Sequence, residues 1–207
     1  MKGIIGIDLA GVDTRPTGFA ILKKDKVKTK ILFNDEEIMG EIFGYFEGII
    51  DKNTRNVISI DAPLSQPLKG KSRVSEKALR RLGIRVFPCM FAGMQKLTER
   101  GIRIADKLRN RYFEVIESYP GSAQDILKIP RKGKNKVALY EGLEGYGIKG
   151  MKDKRVITDH ELDAITSAIV GKLYLEGKTV ALGTYKEGFM IVPKFPTLDE
   201  HLEDAKK

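Results

Sequence analysis

Gly3-Ile4-Ile5-Gly6-Ile7-Asp8-Leu9 is a short apolar run, rich in β-branched side chains, that closes around a single carboxylate. Such a run suits a strand buried on both faces in the middle of a sheet. Asn56 to Asp61 repeats the pattern, with Val57, Ile58 and Ile60 leading to Asp61. Ala62-Pro63-Leu64 then turns the chain, because Pro63 lacks an N–H and pushes Ala62 out of helical geometry. Between the two runs, Gly18 to Leu22 and the alternating Val27 to Phe33 flank Lys23-Lys24-Asp25-Lys26, which predicts a hairpin. Asp35 to Ile50 carries Ile38, Ile42, Phe43, Phe46, Ile49 and Ile50 at helical spacing, with Asn34 or Asp35 as cap. A helical crossover between neighbouring strands makes them parallel. Asp8 and Asp61 are therefore expected side by side at the edge where open α/β sheets bind ligands.

The remainder of the chain is read outward from that pair. Pro63 to Gly83 is strongly basic, with Ser72 or Ser75 expected to cap a helix ending near Leu82. Ile84 to Gly93 is irregular, and Met94 to Asn110 is helical. Arg111 to Tyr119 forms another strand, placing Glu117 near its end before Tyr119-Pro120-Gly121. A short helix over Ser122 to Leu127, an exposed basic loop over Arg131 to Lys136 and a helix over Val137 to Tyr146 follow. Lys178 to Leu182 and Phe189 to Val192 flank Tyr185-Lys186-Glu187-Gly188 as a closing hairpin. Residues 1–195 are expected to form one domain, with 196–207 as a polar tail.

Thr158-Asp159-His160-Glu161-Leu162-Asp163 opens a long amphipathic helix over Asp159 to Gly171. Thr158 and Glu161 have the spacing of a capping box. Residues three and four apart share a helix face, so Asp159 and His160 both lie beside Asp163. Leu162, Ile165, Ile169 and Leu173 form an adjoining stripe toward a core. The helix dipole alone accounts for Asp159, whereas Asp163 lies beyond the first turn, where neither cap nor dipole needs it. Asp8, Asp61, Asp159 and Asp163 can thus converge. Crowded carboxylates repel one another unless protons or a cation join them. Oxygen-only ligands suit Mg²⁺ or Mn²⁺, and a pair of such ions serves in-line phosphoryl chemistry. His160 is open to two readings, a group that positions water, metal or a proton, and a plain exposed first-turn residue.

Composition sets the outer bounds. With 207 residues the chain can bury a full core, and 42% hydrophobic against 31% charged residues excludes disorder. A net charge of +9 favours a polyanionic partner such as nucleic acid, although a lysine-rich surface also suits heat adaptation. Cys89 is the single cysteine, which excludes an intrachain disulfide and a multi-thiolate zinc site, and fits the cytoplasm. No apolar run has the length of a membrane span, so no membrane association is expected. Nothing in the sequence bears on oligomeric state.

Gly6-Ile7-Asp8-Leu9-Ala10 with Gly18-Phe19-Ala20, Ile60-Asp61-Ala62-Pro63-Leu64, Ile116-Glu117-Ser118-Tyr119-Pro120-Gly121 and Asp159-His160-Glu161-Leu162-Asp163-Ala164 occur in that order. As a set they resemble the domain-of-unknown-function family 429, predicted nucleases of the ribonuclease H-like superfamily. The resemblance runs from about Lys2 to Pro193. It implies an α/β fold with a mixed five-stranded sheet in the order 3-2-1-4-5, strand 2 antiparallel to its neighbours, and helices on both faces. The last motif also resembles the final helix of Holliday-junction resolvases. Carried over, the resemblance makes Asp8, Asp61 and Asp163 metal ligands, with Asp159 or His160 as fourth member, and leaves Glu117 as ligand, outer contact or packing residue. Mg²⁺ or Mn²⁺ would be the cofactor and DNA or RNA the substrate. Two alternatives stand beside this: a non-catalytic nucleic-acid-binding protein on the same fold, and an actin-like ATPase or sugar-kinase relative. The latter is suggested by the opening Gly-Ile-Asp, but the chain lacks a second Asp-Gly phosphate loop.

Overall fold

Alternation along the two buried strands separates their side chains into two sets, and the helices follow that division. The computed structural model describes residues 3–47, 55–133 and 135–194. Its strands are β1 (Ile4–Asp8), β2 (Thr17–Lys23), β3 (Lys26–Leu32), β4 (Val57–Asp61), β5 (Glu114–Ser118), β6 (Thr179–Thr184) and β7 (Gly188–Pro193). Its helices are α1 (Asp35–Phe46), α2 (Val74–Arg81), α3 (Gln95–Arg109), α4 (Pro120–Ile126), α5 (Lys136–Gly145) and α6 (Asp159–Leu175). Successive strand residues point to opposite faces. Ile5, Ile7, Ile58 and Ile60 pack with Ile38, Ile42 and Phe46 of α1 and Ile104 and Leu108 of α3. The other set from β1 and β4, to which Gly6, Asp8 and Asp61 belong by alternation, faces α6.

The strands form one mixed sheet of seven in the order β3-β2-β1-β4-β5-β7-β6. β1, β4, β5 and β7 run parallel in that succession, while β2 is antiparallel to β1 and β3, and β6 is antiparallel to β7. The expected sheet of five strands is therefore corrected to seven. The closing hairpin is present, but β7 docks alongside β5 through Glu117–Met190 and Ser118–Ile191 and extends the sheet. Edge pairing of this kind leaves no periodic trace in a sequence, because it depends on where the chain returns.

Helix α6 sits closer to the sheet than ordinary side chains permit. A Cβ on Gly6 would lie 2.1 Å from the Ala164 carbonyl oxygen and 2.4 Å from the Ala168 nitrogen. One on Gly18 would lie 2.0 Å from the His160 carbonyl oxygen. The backbone of α6 thus rests directly on β1 and β2, with its first turn above their ends. The helix is also not amphipathic as expected. Every residue from Glu161 to Gly171 is buried. The stripe of Leu162, Ile165, Ile169 and Leu173 reaches its core, and Leu139, Leu143, Ile148 and Ile157 belong to the same cluster. Further segments therefore cover α6 in addition to the sheet.

Several boundaries shift. Helix α6 continues past Gly171 to Leu175, and its capping box is present, with Thr158 Oγ1 accepting from the Glu161 N–H. Helix α2 begins after Arg73, not at Ser72 or Ser75, because the Glu76 carboxylate accepts the Arg73 N–H at 3.1 Å and closes the helix start from inside. Asn34 Oδ1 caps α1 by accepting from the Glu37 N–H. The expected helical residues Ile49 and Ile50, Lys134 of the basic loop, the domain end at 195 and the tail 196–207 lie outside the described residues. Among those described, no helix is long and apolar enough to cross a membrane.

Candidate active site

Asp8 and Asp61 are partners in the parallel register of β1 and β4, each the last residue of its strand. Neighbouring strands lie about 4.8 Å apart, so their carboxylates leave the sheet together on the α6 side. The first turns of α6 complete the group. His160 Nδ1 is 2.7 Å from Asp8 Oδ2. Asp163 is buried, with Oδ1 accepting from Gln124 Nε2 at 2.9 Å and Oδ2 paired with Lys132 Nζ at 2.7 Å. The same ammonium is 3.5 Å from Asp159 Oδ2, which stands at the solvent edge. These residues, apart from Asp159, line a cleft of about 580 Å³ with Ser118, Tyr119, Arg131 and Phe87. Ser118 adjoins Asp61 across β4 and β5, and its buried hydroxyl has no hydrogen-bond partner among the described residues.

The charges in this cleft are strained against one another. Burial first, and then the Asp8 and Asp163 charges, push the Asp61 carboxyl well above its ordinary range. Burial also raises Asp163, although Lys132 pulls the other way. At Asp159 burial is opposed and outweighed by Lys132 and His160, so that carboxyl is held low. Lys132 has the reverse balance: burial disfavours its charge, but Asp163, Asp8 and Asp159 more than compensate and keep it protonated. The hydrogen bond to Asp8 raises His160 above its ordinary imidazole value, against the opposing effect of burial.

The donors here are carboxylate oxygens, the type of ligand that hard divalent cations take. Three carboxylates converge with one of them forced toward its neutral form, and a 2+ ion would relieve that repulsion. In their present placement, no group of three or more His, Cys, Asp or Glu side chains among the described residues could hold a metal ion. Lys132 supplies the compensating positive charge.

Glu117 is differently employed. Its two oxygens accept from Arg73 Nη1 and Nη2 at 2.7 and 2.5 Å, and Oε2 also accepts the Leu64 N–H at 2.7 Å. Arg73 is fully buried and bonds Glu76 as well. This network fastens α2 and the turn after Asp61 to β5. Cys89 beside it is chemically quiet, its thiol pushed up to about 12 by burial and then by Glu76.

Asp8, Asp61, His160 and Asp163 are thus brought to one cleft, with Asp159 at its solvent edge and Glu117 at its inner wall. Sequence reasoning missed Gln124, Lys132, Arg73 and Glu76. Lys132 lies in the expected basic loop, whose Arg131 and Gly133 are exposed, yet its own ammonium reaches Asp163. The acidic surplus without a matching cation was the one available signal for it. Gln124 on the short α4 offered none.

The features together define a mixed α/β protein with an acidic cleft at the carboxyl edge of its parallel strands. The family model described as "Protein of unknown function (DUF429)" matches residues 6–187, and the chain belongs to that family. No curated protein and no solved structure matches it.

Proposed function

We propose that the protein is a metal-dependent nuclease, with a ribonuclease H-like arrangement of its sheet, that hydrolyses phosphodiester bonds in nucleic acid. The observation that carries this reading is the register pairing of Asp8 with Asp61, closed over by Asp163 and His160 within one cleft. Asp8, Asp61 and Asp163 would hold Mg²⁺ or Mn²⁺, with Asp159 at the open side. When bound, such ions polarise the phosphate, generate hydroxide near neutral pH and stabilise the leaving oxygen. His160 orients the Asp8 carboxylate through Nδ1, and its other ring nitrogen makes no hydrogen bond among the described residues. It is therefore placed to exchange a proton with water at the cleft mouth. Arg131, paired with Asp125, and Lys132, paired with Asp163, line the cleft, and the net charge of +9 favours a polyanionic substrate.

Incubating end-labelled DNA and RNA with the purified protein and Mg²⁺ or Mn²⁺ tests this directly. Cleavage should stop with a chelator and fall at least about 100-fold in Asp8→Asn, an effect that even outer partners of metal ligands reach. Metal-dependent cleavage that persists in a folded Asp8→Asn protein would remove this site from consideration.

A second reading, nucleic-acid binding without catalysis, is favoured by one specific observation. Lys132 already neutralises Asp163 and lies near Asp159, so the cluster holds together without a metal. On that reading, binding persists, chelators change nothing and no product forms.

A further inference from the structure

Phe87 and Phe91 are set out in solvent beside the acidic cleft. The two residues are 67% and 49% exposed, and their rings stack with centroids 6.0 Å apart and planes inclined by 17°. Exposed aromatics on a loose loop would mean little, but this loop is braced. Glu76 of the buried Arg73 network accepts the Cys89 N–H at 3.2 Å, and Thr98 Oγ1 donates to the Cys89 carbonyl at 2.8 Å. Tyr119 Oη donates to the Arg85 carbonyl at 2.8 Å, and Met90 N–H to the Lys71 carbonyl at 3.1 Å. The two rings are therefore presented on a rigid support, so little ordering is required when something packs on them.

The chemistry around the rings selects the occupant. From Lys77 to Thr98 the chain has five basic residues and no acidic one. Arg85 and Lys96 of this stretch are exposed. Phe87 lines the same cleft as Asp8, Asp61 and His160. Flat aromatic faces combined with positive charge are the means by which proteins hold single-stranded nucleic acid, the rings stacking on bases and the cations tracking phosphates. Bases within a duplex already stack on one another and have no free face to offer.

Resting on the nuclease reading, we propose that Phe87 and Phe91 form a stacking ledge for an unpaired base, so that the substrate is single-stranded or locally unpaired next to the phosphate at Asp8 and Asp61. The ledge sets substrate class, while the carboxylates perform the chemistry.

The test uses the full chain with a chelator present, so that binding is read without cleavage. Short single strands of DNA and RNA carrying 2-aminopurine, and the matching duplexes, are titrated with the native protein, with Phe87→Ala/Phe91→Ala, and with Phe87→Leu, which keeps apolar bulk but removes the flat ring. The native protein should prefer the single strands and quench 2-aminopurine on binding. The double variant should bind them about tenfold more weakly or worse, lose the quenching, and melt at the native temperature. Phe87→Leu should lose quenching in part even if the double variant proves unstable. Unchanged affinity and quenching in folded variants overturns the ledge and leaves the nuclease reading standing. Equal losses on duplex and single strand overturn it as well. If the native protein binds no strand of either kind, the ledge falls, and the cleavage assay with Mg²⁺ or Mn²⁺ decides the nuclease reading separately.

Discussion

Lys132 holds its ammonium 2.7 Å from Asp163 and 3.5 Å from Asp159, at the head of the acidic cleft. On the proposed nuclease reading, an ammonium already paired with Asp163 Oδ2 would repel a metal ion at the same carboxylate. Lys132→Met, which keeps the stem and removes the charge, should tighten Mn²⁺ binding on the order of tenfold. Isothermal titration calorimetry reads this directly, and an unchanged or weaker affinity would refute that repulsion. The candidate residues of the cleft and its edge occupy marked local positions in the sequence: the end of a buried strand for Asp8 and Asp61, a capped helix start for Asp159, His160 and Asp163. Lys132 and Gln124 occupy no such position. They reach Asp163 from distant parts of the chain, and pairing at that separation follows from the path of the backbone.

Among the elements, α6 organises the site because β1 and β2 give way beneath it. Gly6 and Gly18 provide the space, and at both positions the atoms that would be struck belong to helix backbone, which cannot rotate aside as a side chain can. Gly6→Ala should therefore destabilise the fold by about 1–3 kcal/mol, the usual cost of overpacking, and reduce any cleavage by moving Asp163 away from Asp8. Urea denaturation followed by circular dichroism gives the first quantity. A native midpoint in that variant would show that the contact is not tight. Strand and helix identities were readable from periodicity, since β-branched runs and helical spacing act locally. The burial of α6 on nearly all sides was not readable. Its first turn is polar, and its remaining exposure depends on α5 and the segment around Ile148 and Ile157 folding over it.

For the molecule as a whole, cohesion depends on charged groups buried between elements as well as on apolar layers. Arg100 is almost fully buried, bonding the Ala10 and Phe33 carbonyls and Asp35 Oδ1, while Arg103 reaches Asp35 Oδ2 at 2.9 Å. Burial alone would raise the Asp35 carboxyl, but the two guanidiniums outweigh it and hold it below its usual 3.8. A depressed carboxylate stabilises the folded state above its unfolded value. That stability is lost as pH falls through the lower native value, so the contribution is present at neutral pH and fades below about 3.8. Asp35→Asn should cost about 2 kcal/mol at pH 7, the scale of a hydrogen bond to a charged group. Its deficit relative to the native protein should shrink as pH falls below about 3.8. Urea midpoints across that range would reveal a deficit independent of pH, which would exclude this origin. By itself the sequence determined the alternation of buried strands and helices, the parallel pairing that sets Asp8 beside Asp61, and the capped helix carrying Asp163, because period, capping and crossover handedness are local rules. Only the tertiary structure decided that the hairpin extends the sheet to seven strands, that Glu117 belongs to Arg73, and that Lys132 closes over the acids. Those outcomes depend on distant segments competing for the same buried space and charge, and no residue signals locally which of them prevails.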